Sequence, residues 1–283
     1  MSTAAEKDRK EPESPAPAQV VAGVDIGSNA IRMVIAEVPP DGSIAVLEQL
    51  QQGIRLGQDA FRRGRLSGPT MHAALEILRG YRTLLDTYRP RHLRAVATSA
   101  VREASNSDMF LDRVLMTTGL DVEVIDTAEE SRLTVSGVRR RLSPEMRANR
   151  GLLLVAHCGG GSTLLTVLHQ GEIVDSQSLP LGSIRMREML LTGGEPPQQA
   201  AEVLEQQISN VLGSAQSGLP LDRIETFIAI GGDARFVARQ IGKPLGPDGP
   251  LLVARGPFDK LVRQCRELSP EKLAAKFGLA FPD

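Results

Sequence analysis

Cysteine is scarce. Cys158 and Cys265 stand far apart and form no CxxC pair, which argues against a disulfide framework or a structural zinc site and leaves a reducing cytoplasm as the expected compartment. An excess of charge of either sign is also lacking. The 33 basic and 34 acidic residues nearly cancel, so there is no uniform field to grip nucleic acid or an anionic membrane, and any polyanion site must be local. No run approaches the roughly 20 apolar residues that span a bilayer, and the N-terminus has no apolar core of the signal-peptide kind. Neither a nucleic acid nor a membrane is therefore an expected partner. Large apolar groups are almost missing from residues 1–18 (MSTAAEKDRKEPESPAPA), which cannot bury enough surface to offset chain entropy and read as a disordered tail.

What is present is an α/β pattern. The 283 residues exceed what one ordinary core supports, so two domains around a cleft are expected. VVAGVDIG opens a buried strand; a polar turn follows, then a second apolar run from Ile31 to Val38 that stops at Pro39-Pro40-Asp41-Gly42, and a third strand from Gly42 to Leu50. Met71, Ala74, Leu75, Leu78, Tyr81, Leu84 and Leu85 keep helical spacing between Pro69 and Tyr88, with Ser67 and Pro69 as start signals. Short strands at Leu93–Thr98 and Val122–Ile125 alternate with helices at Ser107–Thr117 and Ala128–Val138. A second cycle begins near Gly151: strand Leu152–Ala156, a glycine-rich turn at 157–163, strand Leu164–Leu168, and a hairpin turn into a third strand at Ile173. Helix Pro197–Leu212, strand Arg223–Ile230, the Gly231-Gly232 turn and helix Ala234–Ile241 complete it. The spacing predicts an internal duplication with one phosphate-sized loop per half: a first domain over 19–138, a polar and basic linker over 139–150, and a second domain over 151–283.

Each loop has chemistry suited to an anion. In VDIGSNAIRM the backbone N–H groups of a tight turn, with Ser28 and Asn29, can surround a phosphate, while Asp25 can hold a hydrated Mg²⁺ between carboxylate and anion. The bland alternative is a hairpin whose Asp and Asn merely satisfy the turn. In LLLVAHCGGGSTLLTVL, Gly159, Gly160 and Gly161 are entropically costly unless the backbone must approach something closely, and phosphate oxygens are the usual something; Ser162 and Thr163 follow. Its bland alternative is a flexible loop with no ligand.

Taken together these segments resemble the exopolyphosphatase/guanosine pentaphosphate phosphohydrolase (Ppx/GppA) family. VDIGSNAIRMVIAEV looks like its first phosphate loop, AVATSAVREASN like its ATSAxRxAxN signature, and VEVIDTAEESRLTVSGV like its EEAxLxxxGV segment. GGGST, then SLPLGSIRMRE and AIGGDARFVARQI, look like the second loop, the LPxG turn and the closing glycine pair, in order from about residue 20 to 241. The resemblance implies an actin-like ATPase (ribonuclease H-like) fold, two similar α/β domains with mixed five-stranded sheets around a cleft. It implies phosphate binding by Ser28, Asn29, Arg55, Arg102 and Gly159–Thr163, metal binding (Mg²⁺ or Mn²⁺) at Asp25, and a catalytic glutamate that is Glu130 or its neighbour Glu129. Read without the resemblance, Glu130 is a solvated first-turn carboxylate favoured by the helix dipole.

Two departures bear on activity. The family's second loop reads DIGGGSTE, whereas here His157 and Leu164 stand at its two acidic positions, and imidazole suits Mg²⁺ poorly. His157 acting as a base near neutral pH, or as a ligand for a softer metal, stays open; Cys158 reads as a small buried hydrophobe. The family's C-terminal run beyond SPEExxxxxGL is also shortened here, whether by the coding sequence or because a partner completes the second domain. The implied activity is hydrolysis of a terminal phosphate from inorganic polyphosphate or guanosine pentaphosphate. Its rival is a catalytically impaired sensor of the same anions, with a homodimer as the further partner to consider. A sugar kinase or ATPase of the same fold is disfavoured because no motif reads sugar or adenine.

Overall fold

β1 (Gln19–Ile26), β2 (Ala30–Val38) and β3 (Ala45–Gly53) form an antiparallel meander whose inner strands turn alternate residues into the core. Ala22, Val24 and Ile26 on β1, and Ile31, Met33 and Ile35 on β2, are buried. The structure, a computed structural model, describes residues 17–142, 146, 151–193, 197–216, 218–246 and 249–279. Most of the expected N-terminal tail, most of the expected linker and the last four residues lie outside the described residues. The turn after β2 closes through the Gly42 N–H on the Pro39 carbonyl, with Gly42 at φ +74°, so β3 starts at Ala45 rather than at the turn itself.

Two strands join the meander in parallel. β4 (His92–Ala97) lies beside β1 and β5 (Val122–Val124) beside β4, giving the order β3-β2-β1-β4-β5. Between them run α1 (Leu56–Arg63), α2 (Gly68–Tyr88), the short α3 (Ser99–Arg102) and α4 (Ser107–Thr118). Ser67 caps α2, its Oγ accepting from the Thr70 N–H, with Pro69 in the first turn. The expected stripe Met71, Ala74, Leu75, Leu78, Tyr81 and Leu85 is buried against the sheet, each large side chain contributing about 1.5–3 kcal/mol. Helices α1 and α3 were not expected from periodicity, since each is too short to show one.

The second half repeats the order. β6 (Leu152–Cys158), β7 (Thr163–His169) and β8 (Glu172–Leu179) form a meander, and β9 (Ile224–Gly231) runs parallel to β6, giving β8-β7-β6-β9. The two-residue turn Gln170-Gly171, both at positive φ, fixes the β7–β8 register. Where five strands were expected, the described residues of this sheet supply four. After α8 (Gly232–Ile241), the chain pairs β10 (Lys243–Pro244) with β11 (Leu251–Leu252) in a separate ribbon instead of extending the sheet. Before β9 come α6 (Ser183–Gly193) and α7 (Pro197–Gln216); α9 (Arg255–Glu267) and α10 (Pro270–Phe277) follow the ribbon.

One helix crosses the expected boundary at residue 138. α5 (Thr127–Arg139) belongs to the first half in sequence, yet Val135 and Val138 pack with Leu153, Val155 and Leu168 of the second sheet. Ser131 on α5 also hydrogen-bonds Ser176 on β8 at 2.7 Å. The apolar side of α5 thus covers the second sheet, while its start remains tied to the first half.

Candidate functional site

The β1–β2 turn is held from one side. Gly27 N–H closes the turn on the Ala30 carbonyl, and the segment entering α1 takes the next two carbonyls: Gly57 N–H binds Ser28 O at 2.8 Å and Ile54 N–H binds Asn29 O at 2.9 Å. The Ser28 hydroxyl, 5% exposed, pairs with the buried Ser99 hydroxyl of α3 at 3.0 Å. Asn29 is exposed, as is Arg55, which lies between the two residues whose amides hold the turn. Among the described residues the Ser28 and Asn29 amides have no acceptor.

The β6–β7 turn is held by α6. Ser183 N–H reaches Gly159 O, the amides of Ile184 and Arg185 reach Gly160 O, and Arg185 Nε donates to Gly161 O at 2.7 Å. Gly159 N–H itself closes on Ser162 O. The two turns touch across the halves. A Cβ built on Gly160 would lie 3.4 Å from the Ser28 Cβ, and one on Gly161 would lie 2.2 Å from Ser99 Oγ, 2.6 Å from the Phe61 ring and 2.7 Å from Ser28 Oγ. The run of glycine is therefore demanded by close approach, though the first neighbour is the opposite turn itself. Gly231, at φ +116°, brings the β9–α8 corner against the Cys158 carbonyl, where a Cβ would sit at 2.1 Å. The Thr163 hydroxyl donates to the Leu181 carbonyl and so fastens the chain leading into α6.

The two candidate glutamates are sorted by their surroundings. Asp126 caps α5 by accepting from the Glu129 N–H, which leaves Glu129 on the outside. Both Glu129 oxygens are gripped by Arg94 and Arg132, and these hydrogen bonds lower its carboxyl to a pKa of about 2. A carboxylate so engaged is a poor proton acceptor. Glu130 instead turns inward, its side chain 15% exposed, and Oε2 is buried with no hydrogen-bond partner. Burial pushes its carboxyl up, Arg102 pulls it back, and the charge of Asp25 raises it further. Arg102 Nη1 lies 3.5 Å from Glu130 Oε2 but aims its hydrogen bond at the Ile125 carbonyl, 2.6 Å away. The contact is thus an ion pair that leaves Oε2 able to accept a proton.

His157, the penultimate residue of β6, lies two residues before Gly159, as Asp25 lies two before Gly27. Burial lowers its pKa, opposed by Asp25 and reinforced by Arg32 and Arg235, so the imidazole is neutral near pH 7. Leu164 pairs with His157 across β6–β7 and is 1% exposed, filling core space. Cys158 is half-buried, and burial pushes its thiol up, as suits an inert position. As for a metal, Asp25 Oδ2 is paired with Arg32 Nη1 at 3.0 Å, and no three His, Cys, Asp or Glu side chains converge among the described residues.

Sequence reasoning missed Ser99, Phe61, Glu103 and Arg185 as site residues, although Ser99, Glu103 and Arg185 lie inside motifs it quoted. Their roles arise from contacts between residues far apart in the chain, such as Arg185 with Glu103.

Comparison with known proteins agrees with this geometry. The family model described as Ppx/GppA phosphatase family matches residues 34–232. The chain is 28% identical over 257 residues to "Exopolyphosphatase 2" of Mycobacterium tuberculosis, covering 88% of this chain and 79% of that protein. It superposes on the Aquifex aeolicus family member with a TM-score of 0.72 at 25% identity, covering 93% of this chain and 84% of that one. A Cytophaga hutchinsonii exopolyphosphatase shares the fold at a TM-score of 0.71 and 23% identity, over 90% of this chain and 74% of its own. No helix among the described residues is long and apolar enough to cross a membrane. The two sheets, in the orders β3-β2-β1-β4-β5 and β8-β7-β6-β9, form the actin-like fold. With these motifs in register, the chain belongs to the Ppx/GppA phosphatase family.

Proposed function

We propose that this chain hydrolyses the terminal phosphate of inorganic polyphosphate or guanosine pentaphosphate where the two turns meet. The observation that carries this reading is Glu130: a carboxylate whose Oε2 is buried and accepts no hydrogen bond, made more basic by burial, with the Arg102 guanidinium beside it as an ion pair. Water hydrogen-bonded to Oε2 attacks the terminal phosphorus in line with the bridging oxygen; its proton passes to Glu130 as the P–O bond to the rest of the chain breaks. The leaving group is a phosphate oxygen, already stable as an anion, so it needs no proton in the transition state. Backbone amides of both turns, with Arg102, oppose the charge on the transferring phosphoryl oxygens. Arg55, exposed beside the first turn, is the residue we assign to the next phosphate along.

Removing the base sites the test. Glu130→Gln should lower phosphate release by at least about 100-fold while tripolyphosphate binding persists, since general-base catalysis is worth about 10²–10⁴. Glu129→Gln, which removes a charge from an exposed arginine pair, should change the rate less than twofold. Turnover undiminished in Glu130→Gln would sink the assignment.

A second reading rests on His157 and on the Asp25–Arg32 pair: a silent sensor that grips the same anions and passes the bound state to a partner. Its signature is no phosphate release from the native chain, together with tight polyphosphate binding that Arg102→Ala weakens.

A further inference from the structure

Three successive carbonyls of the second turn, those of Gly159, Gly160 and Gly161, are all occupied from the α6 side. In a trans peptide the N–H of the next residue points opposite to the C=O. The amides of Gly160, Gly161 and Ser162 are therefore all turned away from α6, and among the described residues none of them has an acceptor. Successive N–H groups aimed one way make an anion-binding concavity. Two of the three peptides are fixed by main-chain amides at the start of α6. The third, Gly161–Ser162, is fixed by a side chain.

That side chain is Arg185. Its Nε donates to Gly161 O at 2.7 Å, its Nη2 reaches both oxygens of Glu103 on the other half at 2.6 and 2.8 Å, and its guanidinium lies 3.9 Å over the Phe61 ring. The planar fork is thus held on two edges and one face, in a side chain 21% exposed. A peptide with glycine on one side rotates cheaply, because glycine accepts both signs of φ. Without a fixed partner for its carbonyl, the Gly161–Ser162 unit is free to flip. Flipping would put an oxygen where an anion needs a proton donor.

We propose that Arg185 is a positioning residue that locks the Gly161–Ser162 peptide so that the second turn presents donors, not an acceptor, to a phosphate chain. Glu103 and Phe61 hold the guanidinium in the plane this requires. The proposal rests on the phosphate-site reading above and adds to it what sets the polarity of that site. Arg185 has its Nε and Nη2 donors engaged by Gly161 O and Glu103, so the part assigned to these contacts is to orient the turn. The same contacts join α6 to the first half, so the turn takes its binding orientation only when the halves are docked.

Amide-resolved NMR with tripolyphosphate as the probe tests this. In the native chain the Gly160, Gly161 and Ser162 amide signals should shift on titration. In Arg185→Met, which keeps length and contact with Phe61 but not the hydrogen bonds, the Ser162 shift should vanish and the dissociation constant rise about tenfold to thirtyfold. Arg185→Lys, able to pair with Glu103 but not to bridge it to Gly161 O in one plane, should behave the same way and serves if the methionine variant does not fold. Glu103→Gln leaves the Nε contact in place and should cost less than about threefold. Native-like shifts and affinity in both Arg185 variants would overturn the proposal; so would a Glu103→Gln loss equal to that of Arg185→Met, because the role would then be to staple the halves. If tripolyphosphate moves none of the three amides in the native chain, the phosphate-site reading falls, and this inference with it.

Discussion

The two turns occupy the same place in the two sheets but are built by opposite means. The first, Gly27-Ser28-Asn29, carries polar side chains and is held by amides of the segment running into α1. The second is Gly159-Gly160-Gly161, stripped of side chains and held by the start of α6 and the Arg185 guanidinium. The difference follows from which turn invades which. Ser28, Ser99 and Phe61 project from the first half into the space that a side chain on Gly161 would fill. One turn can bear side chains only because the other bears none. Asymmetry between duplicated halves here is steric complementarity, and the sites two residues upstream, Asp25 and His157, carry it into electrostatics.

Breaking the complementarity should have the largest effect in the molecule. Gly161→Ala places a methyl 2.2 Å from Ser99 Oγ and 2.6 Å from Phe61, in a region that cannot open without separating the turns. We expect about 2–3 kcal/mol of lost stability in urea unfolding, the upper range for overpacking, and a fall in tripolyphosphate affinity beyond about 30-fold. Gly27→Ala in the first turn meets nothing nearer than the Ala30 carbonyl at 3.2 Å and should cost less than about 1 kcal/mol. Equal losses from the two would end the claim that the turns are unlike. Ser28→Ala combined with Gly161→Ala should recover part of the loss, because it removes one of the atoms in the way.

A smaller effect should separate Asp25 from His157. Burial depresses the His157 pKa below its ordinary value of 6.5, so between the two values the unfolded chain binds a proton that the folded chain refuses. Stability that depends on neutral His157 is present in full above pH 6.5 and declines as the pH falls toward the depressed value. Glu130 works the other way: its raised carboxyl lets the folded chain hold a proton above pH 4.5 that the unfolded chain has lost, favouring the fold on acidification. Asp25, Arg32 and Arg235 are the other charges acting on His157. The quantity to measure is the difference between native and His157→Gln melting temperatures from pH 7.5 to 5.0. It should change by about 2–4 °C in favour of the variant at the acid end. A constant difference would mean that His157 is solvated and the base of the second turn is as polar as that of the first.

How much of this could be read in the chain depends on the range of the contacts involved. The strands and α2 were legible because alternation and 3.6-residue periodicity are local, and the buried stripe from Met71 to Leu85 fell as spaced. Close approach at the second turn was legible because three successive glycines are costly otherwise, but that the approaching groups include the first turn was not. The docking of α5 on the second sheet was not, because Val135 and Val138 advertise an apolar face without naming the sheet it covers. Nor was the inward turn of Glu130 against the outward turn of Glu129: the two are adjacent in sequence and alike in chemistry. Only the cap at Asp126 and the arginines at 94 and 132 tell them apart. Arg185 was inside a quoted motif, but its two partners come from residues 161 and 103, which no local pattern connects.

The smallest expected effect tests whether the second turn uses any side chain at all. Thr163 ends it, and its hydroxyl donates to Leu181 O, two residues before α6 begins. Thr163→Val keeps the shape and removes that donor, leaving one carbonyl short of a partner, so about 1 kcal/mol of stability should be lost. Tripolyphosphate affinity should stay within about threefold if the amides of Gly160, Gly161 and Ser162 bind it as proposed, since the peptides carrying them are fixed by α6 and Arg185 and not by Thr163. An affinity loss beyond tenfold with stability unchanged would show the hydroxyl reaching the phosphate, and the proposed backbone-only role of the second turn would fall.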